Sequence, residues 1–85
     1  MEKKFSKEEI RTKLAEMVSE KFGVNLEDIH SDSSFTADLG ADSLDLVEMV
    51  MSLEKAFGVS IPDADAQSFK TVSDVTGYLE VRLDA

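Results

Sequence analysis

Ser43 stands in the run "GADSLDL", with Asp42 before it, Leu44 after it and Asp45 two places on. Three roles compete for its hydroxyl. The plainest is structural, the first residue of a helix whose cap is Asp42. A catalytic nucleophile is the second, and the surroundings do not supply one. The run is not a G-x-S-x-G elbow, His30 is the only histidine in the chain, and no local base is evident. The third is a hydroxyl that receives a group from another enzyme. A helix N-terminus is exposed, here ends what reads as a mobile loop, and presents unpaired backbone N–H groups that tolerate a phosphate. Asp42 and Asp45 would repel that phosphate and favour an outward-pointing attachment. No catalytic residue is assigned.

The composition narrows these roles. Eighty-five residues make one domain, residues 1–85, with a modest core, so a large internal active site is not expected. Hydrophobic residues at 42% suffice for a globular core, and no apolar run reaches the roughly 20 residues that would span a bilayer. "MEKKF" is followed by neither an apolar stretch nor a small-residue cleavage site, so a soluble cytoplasmic monomer without membrane insertion is expected. There is no cysteine, which removes disulfides and thiolate sites together. Any thiol chemistry needs an imported thiol.

The net charge of −9 is concentrated in one stretch. Residues 26–66 hold Glu27, Asp28, Asp32, Asp38, Asp42, Asp45, Glu48, Glu54, Asp63 and Asp65 against the single base Lys55, whereas both ends of the chain are nearly balanced. Such a surface keeps a small protein in solution or steers basic partners toward it. Nucleic acid is excluded as a direct ligand, because its phosphates would be repelled.

The elements that must position Ser43 read as helices, with no convincing strand. Ser6 with Glu9 forms a capping box, Phe5 and Ile10 are placed as a hydrophobic staple, and Ile10, Leu14, Met17, Val18 and Phe22 share one face until Gly23. Residues 24–41 are turn-rich, and Val24, Leu26, Ile29, Phe35 and Leu39 are expected to anchor this long loop on the core. The second helix starts after Asp42 and ends at Phe57, before Gly58; a short turn of helix follows Pro62; the last helix starts at Thr71 with Asp74 three residues on, and turns Val72, Val75, Leu79 and Leu83 inward. The fold expected is all-α, a small four-helix bundle of three main helices and one short one.

The second helix carries two apolar strips. At about 100° per residue, Leu46, Val50, Leu53 and Phe57 share an arc with Met49 at its edge. Leu44, Glu48, Met51 and Lys55 lie on a neighbouring face, with Val47 between. Apolar side chains set among acids suit the docking of another protein, since the first provide desolvation and the second orientation. No specific metal site is read, although the carboxylates of Asp38, Asp42, Asp45 and Glu48 are candidates for a weak site that takes a hard divalent cation.

Residues 35–66, "FTADLGADSLDLVEMVMSLEKAFGVSIPDADA", with D-S-L at Asp42, Ser43 and Leu44, resemble the acyl carrier proteins, and the likeness extends more loosely through "KTVSDV" to the last helix. The resemblance implies that a phosphopantetheinyl transferase attaches the 4′-phosphopantetheine arm of coenzyme A to Ser43 through a phosphodiester. The arm would supply the missing thiol. Acyl groups would then ride as thioesters, held in an apolar cleft between helices or presented to fatty acid synthesis enzymes through their basic docking patches. Leu44, Val47, Glu48 and Met51 correspond to the family's partner-recognition helix, and Asp42 and Asp45 would help engage the transferase.

Departures from the family pattern are Lys55 after Glu54, Ala64 and Ala66 among the acids after Pro62, and Ser68 with Phe69 where polar then aliphatic residues are common. They leave the D-S-L motif intact and admit a specialised carrier, such as a peptidyl carrier. Two other classes compete. In "DADAQSFKTVSD", Asp63, Asp65, Gln67 and Asp74 have the spacing of a calcium loop, but Ser68 stands where its glycine is required and the last ligand is Asp rather than Glu. A small acidic adaptor without cofactor would explain the charge but not the serine motif.

Overall fold

Each long helix starts where a polar side chain can bond to the backbone three residues ahead while the residue there bonds back. In the computed structural model, which describes residues 5–84, Ser6 Oγ accepts from Glu9 N at 3.1 Å and Glu9 Oε1 accepts from Ser6 N at 2.8 Å, opening α1 (Lys7–Phe22). Asp42 and Asp45 exchange the same pair of bonds, 2.8 and 3.2 Å, to open α2 (Ser43–Phe57). The single turn α3 (Asp63–Ala66) follows Pro62 without a side-chain cap. Thr71 and Asp74 then open α4 (Val72–Arg82) with a third capping box. Gly23 and Gly58 close α1 and α2 at φ of 68° and 66°, a left-handed conformation that costs glycine least. The described residues thus form the expected all-α fold. Of the "MEKKF" run, residues 1–4 lie outside the described residues.

Burial follows the apolar periodicity, with two corrections. Ile10, Leu14 and Val18 of α1, Leu53 and Phe57 of α2, and Val72, Val75 and Leu79 of α4 are buried in one cluster; Met17, Phe22 and Leu83 pack on it half-buried. Phe5 sets its ring edge-on to Phe57, with centroids 5.1 Å apart. Met49, expected at the edge of the arc, is buried at 2% exposure, while Leu46 and Val50 are half-buried. The reason is a neighbour that periodicity on one helix does not register. Met17 of α1 borders the same groove as Met49, so α1 covers that side of α2.

The second correction concerns the loop. Leu26 is 52% exposed, because residues Leu26–Asp28 form a 3₁₀ turn in which the Leu26 carbonyl accepts from Ile29 N while its side chain turns to solvent. Phe35 is buried; Ile29 and Leu39 pack on the core half-buried. The loop is also tied down by hydrogen bonds. Ser34 and Thr71 pair in an isolated antiparallel bridge, Phe35 N donates to Lys70 O, and Val72 N and Ser73 N donate to the carbonyls of Ser33 and Ser31. The buried Ser33 places its Oγ to accept from His30 N at 3.0 Å. Among the described residues no helix is long and apolar enough to cross a membrane.

Candidate functional site

In the two residues before the second capping box, the chain is already anchored. Gly40 N donates to Thr36 O, Ala41 N donates to Phe35 O at 2.8 Å, and the Ala41 side chain is buried. Asp42 then provides the cap with its carboxylate. That choice frees the next residue: Ser43 is exposed as the first residue of α2, and its hydroxyl makes no hydrogen bond among the described residues. The backbone N–H groups of Ser43 and Leu44 likewise meet no acceptor there, since the capping bond goes to Asp45 N. Two free N–H groups at the positive end of a 15-residue helix suit a phosphate linked to the serine beside them.

Among the described residues, no nucleophile's machinery is brought to Ser43. His30 lines a different groove, walled by Arg11 and Ala15 of α1 and by Val72, Thr76 and Glu80 of α4, with no residue of α2 in its lining. Arg11 and Glu80 pair across that groove at 3.6 Å.

Along the first turns of α2 the outward strip is as expected. Leu44, Val47 and Met51 are 64%, 55% and 52% exposed, in contrast to the buried Met49, Leu53 and Phe57. Glu48 lies among them, but it is not a free carboxylate. Lys21 Nζ donates to its Oε1 at 2.7 Å, a contact across 27 residues of sequence. Nothing in the local pattern around either residue signals that pairing.

The carboxylates considered for a weak divalent site already have hydrogen-bond partners among the described residues. Among the described residues no three acidic or histidine side chains could hold an ion together. Each has a local use instead: Asp38 accepts from Ser34 N at 2.7 Å, Asp42 and Asp45 cap α2, and Glu48 holds Lys21. The calcium-loop spacing is likewise absorbed by structure. Residues Asp63–Ala66 are helical, Asp65 accepts from the Tyr78 hydroxyl at 2.7 Å, and Asp74 accepts from the N–H groups of Thr71 and Lys70, both at 3.0 Å. Those two backbone bonds, Thr71's first, hold the Asp74 carboxyl below the usual range. Burial and the bond to Asp65 raise Tyr78, while Arg82 donates to the same hydroxyl and opposes them.

Comparison with known proteins shows the family. Residues 12–79 match the family model described as "Phosphopantetheine attachment site". The chain is 48% identical over 71 residues to the acyl carrier protein of Bdellovibrio bacteriovorus, covering 84% of this chain and 91% of that one. With the acyl carrier protein of Thermotoga maritima it shares 45% identity over 78 residues, 92% and 96% of the two chains, and with that of Clostridium perfringens 51% over 67 residues, 79% and 88%. With a family match across most of its length and relatives at this identity, the chain belongs to the acyl carrier proteins, which hold a covalently attached 4′-phosphopantetheine group.

Proposed function

We propose that Ser43 is the attachment residue, and that the exposed face of α2 formed by Leu44, Val47, Glu48 and Met51 is where enzymes of fatty acid synthesis dock. The observation that carries the first part is the unpartnered, exposed hydroxyl beside two free backbone N–H groups. The attached group supplies a terminal thiol for thioester linkage to acyl chains, chemistry that a chain without cysteine lacks. What the chain contributes is presentation. Ala41 and the capping box fix the start of α2, so the hydroxyl is held outward at a defined point. Removal of its proton falls to the transferase, because the single histidine lies in the groove between α1 and α4.

Docking rests on the combination of charge and exposed apolar area. The carboxylates of Asp42 and Asp45 attract a basic patch at a distance, Glu48 lies on the same face with Lys21 held to it, and Leu44, Val47 and Met51 contribute once water leaves the contact. The chain performs no chemistry of its own. We read residues 1–85 as one carrier domain, monomeric and cytoplasmic, on the strength of its relatives and its net charge of −9.

Mass spectrometry tests the attachment. With coenzyme A, magnesium and a phosphopantetheinyl transferase, the chain is expected to gain one phosphopantetheinyl group, mapped to Ser43. Ser43→Ala should gain none while keeping its helix content, since Asp42 remains as cap. Modification that persists in Ser43→Ala refutes the assignment.

A further inference from the structure

One of the carboxylates on the proposed docking face is answered from within the molecule. Lys21, in the last turn of α1, reaches Glu48 at 2.7 Å. Its side chain is only 25% exposed, against 51% for Glu48. The stem lies along the groove between α1 and α2, beside Met17, Met49 and Ser52, so the ammonium is delivered from the protein side. The carbonyl end of α1 favours a cation there as well. Glu48 first, through its hydrogen bond, and then more weakly the charges of Glu48, Asp45 and Asp42 raise the proton affinity of Lys21 above the ordinary lysine value.

We propose that Lys21 is an internal counter-ion that masks Glu48, so that α2 selects basic protein partners that engage the Asp42 and Asp45 end, next to Ser43, over partners that depend on Glu48. The inference rests on the reading of α2 as the docking face. Its physics is competition. A partner's lysine or arginine can use Glu48 only after Lys21 lets go, whereas the carboxylates of Asp42 and Asp45 are bonded only to backbone N–H groups and keep their negative charge available. The masking is graded, because exposed ion pairs are individually weak.

The test is a double-mutant cycle on binding of the unmodified chain to a phosphopantetheinyl transferase without coenzyme A, so that no reaction intervenes. Lys21→Gln should tighten binding about two- to fivefold and steepen its salt dependence. Glu48→Gln should weaken binding less in the parent than in the Lys21→Gln background, where it cancels the gain. That non-additivity is what a merely structural lysine would not produce. If Lys21→Gln weakens binding, Lys21 is itself a partner contact and masking is overturned. If the two effects simply add, it is overturned too. Leu44→Ala and Met51→Ala separate this from the broader reading. Weaker binding in those variants with no coupling at Lys21 removes masking alone, whereas parent-like binding in both removes the docking face and masking with it.

Discussion

Helices α2 and α4 begin with the same device and use it in opposite ways. Both are opened by a reciprocal capping box ending in aspartate, and both carry a serine in their first turn, Ser43 and Ser73. At α4 the long loop closes over the start: carbonyls of Ser33 and Ser31 accept from Val72 N and Ser73 N, and the Ser73 hydroxyl lies 3.0 Å from that of Thr71. Its first apolar residues, Val72 and Val75, go into the core. At α2 no loop carbonyl reaches Ser43 N or Leu44 N among the described residues, and the first apolar residue, Leu44, faces solvent. Capping chemistry alone therefore does not make a functional helix start. What distinguishes the two is whether the rest of the chain satisfies the free N–H groups or leaves them open.

The comparison breaks most sharply at the two serines. Ser43→Ala should abolish phosphopantetheinylation and Ser73→Ala should leave it complete, by intact mass; modification lost in both would mean that the start of α4 also belongs to the site. The next largest effect contrasts two leucines. Leu79→Ala, fully buried on α4, should cost about 2–5 kcal/mol in denaturant melts, whereas Leu44→Ala should stay within about 0.5 kcal/mol and instead speed dissociation from the transferase. Equal destabilisation by the two would show that Leu44 is held in the core in solution.

A smaller effect concerns protons at the closed start. Because backbone bonds from Thr71 and Lys70 lower the Asp74 pKa, its carboxylate contributes stability at any pH above the ordinary aspartate value, and that contribution is lost as pH falls through the lowered value. Asp74→Asn should therefore melt below the parent at neutral pH, and the two midpoints should converge in acid. A gap that persists unchanged into strong acid would assign the loss to shape rather than charge. Thr71→Ala, which removes the side-chain cap and the hydroxyl contact to Ser73, should cost about 1 kcal/mol at any of these pH values.

Where the relevant interaction is local, the sequence alone determined the outcome. The starts of α1, α2 and α4 depend on side chains bonding to backbone three residues away, and their ends at Gly23 and Gly58 depend on one residue's tolerance of positive φ. The exposed Ser43 with its acidic, apolar strip was legible for the same reason, since cap and strip lie within three turns of one helix. Only the tertiary structure decided what depends on a distant neighbour. It placed Met49 in the core beside Met17, left Leu26 in solvent, stitched Ser31 and Ser33 to the start of α4, and put Lys21 on Glu48. It also gave Asp65 of the calcium-like spacing the Tyr78 hydroxyl as a donor. A one-dimensional pattern registers which face of a helix is apolar or charged. Which base or carbonyl from another element arrives at that face is set by how the helices cross, and that is a property of the packed molecule.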